Sequence, residues 1–580
     1  MSAMKYRTAA VQFEPTMFEK ERNISRLSVL VEEAAKEGAR LIVTPEMGTT
    51  GYCWQNREEV RPFVETVPGD TTRHFHELAK RHDCYIVIGM PEVDQVTDLY
   101  YNTAVLIGPE GIIGKHRKSH PYIAEPKWAA SGDVAHEVFE TELGRISMLV
   151  CMDLHFFETA RLEAIKGADV ICHISNWLEE RTPAPYWINR AFENCCYVIE
   201  SNRWGLERTV QFSGGSCIIN PDGSVESAID AGDGITYGTI DLEWPRKRDV
   251  LGEPVFSSRR TDMYADLMTN SFTWNPGDFF KLYGIKPIPQ GSVSTAAVAQ
   301  FAPSNDKSSN LKIIRELADT AKTAEGANIL VFPELALTGL DDPASSAEEV
   351  AGPTVSEFVR IAMRLRMYMV AGFAEKDGDE FYNSAVLAGP EGLIGTYRKT
   401  HLSQHDKGWA TQGNEWKWFD LPIGRVGMVI GHDALYPEAI RCLAIKGCDF
   451  VVAPSAISGT FTGSHSGTAI PHNYPSPTGA DPYHWHAFRV RGGESNVYFA
   501  FANVLDTKRN MHGLSGVFGP DTFKFPREES AVLDDVGVAS AKVDTSNLDT
   551  PYPTNVVRRK DLVVMRLPHH YEPLLGRGNH

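Results

Sequence analysis

Two stretches of this chain spell nearly the same ten residues. Gly144-Arg145-Ile146-Ser147-Met148-Leu149-Val150-Cys151-Met152-Asp153 matches Gly424-Arg425-Val426-Gly427-Met428-Val429-Ile430-Gly431-His432-Asp433, and both run on into Ala-Ile-Lys-Gly. The match extends upstream, because Gln12 and Glu46 are 34 positions apart and so are Gln300 and Glu334. A period of about 285 residues makes the chain an internal duplication of two large units, each long enough to bury a core of its own. The copies differ where it matters chemically: the first carries the thiol of Cys151, and the second has Gly431 there.

Within the first copy, Ile24, Leu27, Leu30, Val31 and Ala34 share one helical face, Gly38 can end that helix, and Leu41-Ile42-Val43 reads as a short buried strand leading to Thr44-Pro45-Glu46. The second copy repeats this unit from Asn310 to Glu334. Around Cys151 the alternation continues as a strand over 145–150, a helix from about Glu158 to Lys166, and a strand over 169–174. The chain is therefore expected to be α/β, with Cys151 at a strand end, where such proteins gather functional residues. Its domains are expected at 1–264 and 294–580, joined by a surface connector over 265–293 containing Trp274-Asn275-Pro276-Gly277 and Pro287-Ile288-Pro289.

Composition narrows the function classes. A formal charge of −18 offers no basic surface for nucleic acid or anionic lipid. No apolar run reaches the length of about 18 residues that spans a bilayer, and Met1 to Arg7 has no secretory character, so a cytoplasmic protein is expected. Nine cysteines without disulfide or metal-ligand spacing should be reduced thiols.

Three side chains of the first copy sit at predicted element ends: Glu46, Lys118 in Arg117-Lys118, and Cys151. Singly each has an ordinary structural reading, as a helix cap, a surface charge and a core thiol respectively. Together, and in register with a second copy, they make a reacting set. A cysteine that cleaves a C–N bond needs a base, because a free thiol with pKa of about 8.5 is mostly protonated at neutral pH. Glu46 can be that base, while Lys118 and the backbone N–H of Met152 can hold the oxyanion of a tetrahedral intermediate.

In this order and at these separations the three residues resemble the Glu-Lys-Cys triad of the nitrilase superfamily. Tyr101-Asn102-Thr103-Ala104-Val105 before Gly108-Pro109-Glu110-Gly111, and Arg190-Ala191-Phe192-Glu193-Asn194 before Tyr197 and Asn202, strengthen the resemblance. It implies two tandem α-β-β-α sandwich domains paired as an intramolecular pseudo-dimer, further homo-oligomerisation being open, with no cofactor and a thioester intermediate; no metal is expected, because His465, His472, His484 and His486 have no compact ligand spacing. It also implies an orienting role for Glu125, seven residues beyond Lys118, and a pocket lined by Asn176 and Trp177. Tyr52 is expected either as aromatic wall of that pocket or as core packing. His155 could touch substrate, and neither it nor His173 is expected to be catalytic.

The second copy retains Glu334 and Lys399 but has Gly431 for Cys151, Asp406 for Glu125 and Ala456-Ile457 for Asn176-Trp177. It is expected to be folded and inactive, with His432 pointing away from the site. Ser455 and Arg491 are 36 positions apart where Ser175 and Arg190 are 15 apart, so the second copy carries an insertion within 456–490, either a surface excursion or a lid. Cys151-Met152-Asp153 lies nearer the text of amidases and carbamoylases than the Cys-Trp-Glu of nitrilases. The expected activity is hydrolysis of a small non-peptide amide or N-carbamoyl compound. Nitrile hydrolysis is the alternative, and a non-catalytic scaffold or ammonia-supplying amidase module is the reading from another class.

Overall fold

A computed structural model of the protein describes residues 5–122, 124–133, 135–178, 182–269, 287–459, 485–520, 531–548 and 557–576. The duplication expected from the sequence is visible as two units, the first running to Val250 and the second beginning at Leu251.

In the first unit, helix Lys20–Lys36 buries Leu27, Val31 and Ala34, spaced three and four apart, and Gly38 follows it at φ +88°. The chain then enters strand Ala39–Val43, which pairs in parallel with Lys5–Gln12 on one side and with Tyr85–Val93 on the other. These belong to a six-stranded sheet ordered Gly234–Asp241, Lys5–Gln12, Ala39–Val43, Tyr85–Val93, Tyr100–Gly108, Gly111–Arg117. Helix Lys20–Lys36 and helix Asp70–His82 cover its outer face, packing Leu27, Val31, Phe75 and Leu78 on Val11, Ile42, Ile86 and Val105. A second six-stranded sheet runs Val225–Ala228, Cys217–Ile219, Tyr197–Asn202, Val170–Ser175, Gly144–Val150, Val138–Thr141, and carries helices Phe157–Ile165 and Pro185–Asn194. The unit is an α-β-β-α sandwich. Gln12 staples the two sheets: its Oε1 accepts from Ser216 N at 3.1 Å while its Nε2 donates to Gly232 O at 3.0 Å.

The second unit repeats the plan. Its sheets run Gly392–Arg398, Glu380–Gly389, Tyr368–Asp377, Ile329–Val331, Val293–Gln300, Gly537–Asp544, and Trp418–Leu421, Gly424–Met428, Phe450–Ser455, Tyr498–Asn503, Ser515–Phe518, Ala531–Leu533. Gln300 occupies the stapling position, accepting from Ser515 N at 2.9 Å, which gives the glutamine pair noted in the sequence its physical basis.

The segment after Val250 makes its contacts within the second unit. Arg259 Nε reaches Glu438 Oε1 at 3.0 Å, Arg260 Nη1 reaches Gly413 O at 2.8 Å, and Tyr264 OH meets His401 Nε2 at 2.7 Å. A repeat in sequence marks where a copy stops resembling its twin, but not which body the closing segment packs on. Most of the expected connector, 270–286, and residues 460–484 of the insertion lie outside the described residues. No described helix is long and apolar enough to cross a membrane.

Candidate active site

Three strand ends of the first unit deliver the expected side chains to one place. Glu46 follows strand Ala39–Val43, whose exit is held by Thr44 N and Oγ1, both bonded to Val87 O. The neighbouring strand must come very close here: a Cβ on Gly89 would stand 2.8 Å from Glu46 Cα and 2.7 Å from Met47 N, so only glycine fits. Lys118 leaves strand Gly111–Arg117 with its N–H on Asn102 O at 2.8 Å. Cys151 ends strand Gly144–Val150 and opens a 3-10 turn, Cys151–His155, with φ +47°, a left-handed conformation unusual for a residue with a side chain.

Asp153 fixes that turn to the lysine loop. Its carboxylate accepts from Val150 N at 3.2 Å, Ser119 N at 3.1 Å and His120 N at 2.9 Å, and also meets His116 Nε2 at 2.8 Å. Burial alone would raise its pKa, but the hydrogen bonds of His116 and His120 hold it well below the ordinary carboxylate range.

Between the strand ends lies a buried charge cluster. Lys118 Nζ bonds Glu46 Oε1 at 2.9 Å and Glu125 Oε2 at 2.5 Å, and Asn102 Nδ2 spans the same two carboxylates at 2.6 and 2.8 Å. Tyr52 OH at 2.9 Å and Tyr122 N at 2.8 Å complete the shell of Glu125. Glu125 is therefore locked through both oxygens, whereas Glu46 Oε2 has no hydrogen-bond partner. The Cys151 thiol lies in the fields of Glu46, Lys118 and Glu125, and the backbone N–H of Asn176 favours its anion.

These fields set the resting protonation. Burial raises Glu46 above its usual value, against the pull of Lys118. Burial would lower Lys118, but Glu125 and Glu46 more than reverse it and raise the ammonium well above the ordinary lysine value. Burial, then Glu46, push the Cys151 thiol well up, with Lys118 opposing. The arrangement stores a neutral thiol beside a carboxylate with one open oxygen and a permanent cation, a set that can move a proton from sulfur to oxygen and then stabilise an anion.

The remaining expected residues fall around this cluster. Tyr52 is buried in a hydrophobic cluster, with its hydroxyl engaged by Glu125 and its ring 5.7 Å from Lys118 Nζ. Asn176 is buried with both atoms of its side-chain amide lacking hydrogen-bond partners. Trp177 donates its backbone N–H to Asn202 Oδ1 at 2.8 Å, and its ring stacks on His155 at 4.6 Å. Among the described residues no group of His, Cys, Asp and Glu is arranged to hold a metal ion. Sequence reasoning assigned no role to Asn102, the bridge between the two glutamates, although Tyr101-Asn102-Thr103-Ala104-Val105 recurs as Tyr382-Asn383-Ser384-Ala385-Val386.

In the second unit the charge cluster persists. Lys399 Nζ bonds Glu334 Oε1 and Asp406 Oδ2, each at 2.6 Å, and Asn383 Nδ2 bridges the same two acids. Gly431 keeps the turn, at φ +46°. Glu334 Oε2, however, accepts from Ala456 N at 3.0 Å, whereas Glu46 Oε2 in the first unit has no partner. A Cβ built on Gly431 would overlap that oxygen and stand 3.3 Å from Lys399 Nζ. A cavity of about 260 Å³ remains, and His432 lines it beside Glu334 and Lys399. This corrects the expectation that His432 points away: alternation of side chains holds along a strand, but at 431 the chain has already entered a 3-10 turn.

The sequence pattern of the carbon-nitrogen hydrolase family matches residues 7–246 and again 295–523. The chain belongs to the carbon-nitrogen hydrolase family. A nitrilase of Pyrococcus abyssi is 37% identical over 261 residues, 44% of this chain and 98% of that protein. A 2-oxoglutaramate amidase of Bacillus subtilis is 31% identical over 268 residues, covering 45% of this chain and all of the relative, at 100%. Omega-amidase NIT2 of Homo sapiens is 28% identical over 276 residues, 45% of this chain and 97% of its own length. Such relatives match about one copy's worth of this carbon-nitrogen hydrolase, which is a tandem member of the nitrilase superfamily. It is a hydrolase of non-peptide carbon–nitrogen bonds, of amidase or nitrilase type.

Proposed function

We propose that the first unit is a cysteine amidohydrolase for a small non-peptide amide or N-carbamoyl compound, and that the second unit is inactive. The observation that carries this reading is the single open oxygen of Glu46 in a cluster where both oxygens of Glu125 are occupied. Glu46 Oε2 takes the thiol proton as Cys151 Sγ bonds to the carbonyl carbon. Lys118 Nζ and the Met152 N–H hold the oxyanion. Collapse expels ammonia or an amine, which receives the proton back from Glu46. Water, deprotonated by the same carboxylate, then attacks the thioester, releasing the acid and restoring the thiol. Glu125 and Asn102 hold Lys118 and Glu46 throughout.

The unpartnered side-chain amide of Asn176 supports an amide or carbamoyl substrate over a nitrile, because it offers one donor and one acceptor to a group that presents one of each. Omega-amide and 2-oxoglutaramate hydrolysis, the activities named for two relatives, fall within this class. The test is a panel of amides, N-carbamoyl amino acids, ureides and nitriles, followed by ammonia release and intact-protein mass. An acyl adduct on Cys151 from amides or carbamoyl compounds is expected; turnover of nitriles alone would overturn the substrate assignment.

Acid pH should silence the enzyme by protonating Glu46. Because burial holds its pKa above the ordinary glutamate value of about 4.3, the acid limb of kcat/KM is expected above that pH, and a limb at or below it would contradict the base assignment. The second unit should resist reactivation. Gly431→Cys must place a side chain on a left-handed residue, at a cost of about 1–2 kcal/mol, and into the volume held by Glu334 Oε2. In a Cys151→Ala background it is expected to form no acyl adduct with the substrate of the first unit; an adduct on residue 431 would show that only the sulfur had been lost.

A further inference from the structure

One buried polar pair of the first unit is left unused by the chemistry above. His173 and Glu200 face each other across the parallel pairing of strands Val170–Ser175 and Tyr197–Asn202, both wholly buried in strands that are otherwise largely apolar at their starts. His173 Nδ1 is hydrogen-bonded to Glu200 Oε2, and Ser175 Oγ to Glu200 Oε1. The other ring nitrogen, His173 Nε2, lies 3.0 Å from the carbonyl oxygen of Cys151.

Hydrogen-bond roles are forced by this geometry. A carbonyl oxygen only accepts, so Nε2 carries a hydrogen. The bond between Nδ1 and Oε2 then holds one further proton, and the pair is either imidazolium with carboxylate or imidazole with carboxylic acid. In both forms a polarised N–H is directed at the Cys151 carbonyl. That carbonyl belongs to the same peptide unit as the Met152 N–H, and drawing electron density toward a peptide oxygen strengthens its N–H as a donor.

The second unit supplies a comparison within the same chain. At the matching register Ala453 faces Phe501, so both partners are absent, while the turn persists as Gly431 at φ +46°. The fold therefore forms without the pair, in keeping with the general finding that a buried polar pair replaced by apolar residues need not lose stability. The pair is present in the copy where the left-handed turn bears the thiol and the adjacent amide has an anion to bind.

We propose that His173 and Glu200 are a positioning pair that anchors and polarises the Cys151–Met152 peptide, raising the strength of the Met152 N–H as an oxyanion donor. This rests on the thiol mechanism proposed above for the first unit. The pair touches no reacting atom, and acts through the peptide that follows the nucleophile.

Three variants separate charge from geometry. Glu200→Gln keeps the shape and leaves Nε2 able to donate while removing the carboxylate. His173→Gln keeps an N–H at the Nε2 position without the ring, and His173→Leu removes the bond. With the best substrate from the panel, kcat is expected to fall about tenfold in Glu200→Gln and further in His173→Leu with KM unchanged, the leucine variant approaching the 10²–10³ typical of losing a donor outright. His173→Gln should recover part of the leucine loss.

Cys151–Met152 is the sole Cys-Met peptide in the sequence, so carbonyl-13C cysteine with 15N methionine labels one amide for NMR. Its proton is expected to move upfield in Glu200→Gln and His173→Leu, a change that mere loss of packing elsewhere would not produce. Unchanged kcat and an unmoved Met152 resonance in Glu200→Gln would overturn the proposal. Should His173→Leu fail to fold, the two glutamine variants carry the same comparison. Full activity of Cys151→Ala would instead defeat the thiol mechanism, leaving the resonance shift as a separate readout of the pair.

Discussion

Cys151→Ala is expected to lose on the order of 10⁴–10⁶-fold in kcat, the range seen when a nucleophile is removed from an intact site, and to show no acyl adduct by intact mass. The loss should come without unfolding. Cys151 contributes a small buried side chain on a left-handed turn, and the turn is held by Asp153 through Val150, Ser119 and His120 rather than by sulfur. Thermal denaturation of the variant should therefore stay close to wild type. Retained turnover in this variant would mean that another group performs the attack, and no other thiol lies in this cluster.

Lys118→Met should affect both activity and stability. It removes the cation proposed to hold the oxyanion and leaves Glu46 and Glu125 buried side by side without a counter-charge. Removing one partner of a buried ion pair typically costs about 3–5 kcal/mol, and a comparable loss is expected here. The penalty should depend on pH with a definite sign. Burial already raises Glu46, and the ammonium that opposes this rise would be gone, so its folded-state pKa climbs further above its unfolded value. Stability tied to such a group is fully present below the unfolded pKa and is lost as pH rises through the folded one. The deficit relative to wild type should therefore be smaller near pH 5 than near pH 8, measured by denaturant unfolding at both; a deficit independent of pH would argue that Lys118 serves packing alone.

Glu46, Lys118 and Cys151 were legible in the sequence because each ends a strand and the same order recurs 280 to 288 positions later, with a glycine at the reacting position. Periodicity identified the helix now seen at Lys20–Lys36 and the strand at Ala39–Val43. What stayed hidden was pairwise geometry. The bond from Tyr52 to Glu125 joins residues 73 apart, and Asn102 joins Glu46 and Glu125 across 56 and 23 positions; a one-dimensional reading gives such contacts no mark. His173 and Glu200 were equally silent, since their partnership exists only once two strands align in parallel. His432 was misread for a related reason: the alternation rule was applied one residue beyond the strand to which it belongs.

The glutamate of the second unit has an implication for how such a duplicate changes with time. With Glu334 bonded to Ala456 N–H, a change from glycine to cysteine at 431 meets an occupied space and a rival for the same donor. On the inactive reading proposed for this unit, that one carboxylate acts as a ratchet, and a thiol centre there would require at least two coordinated changes.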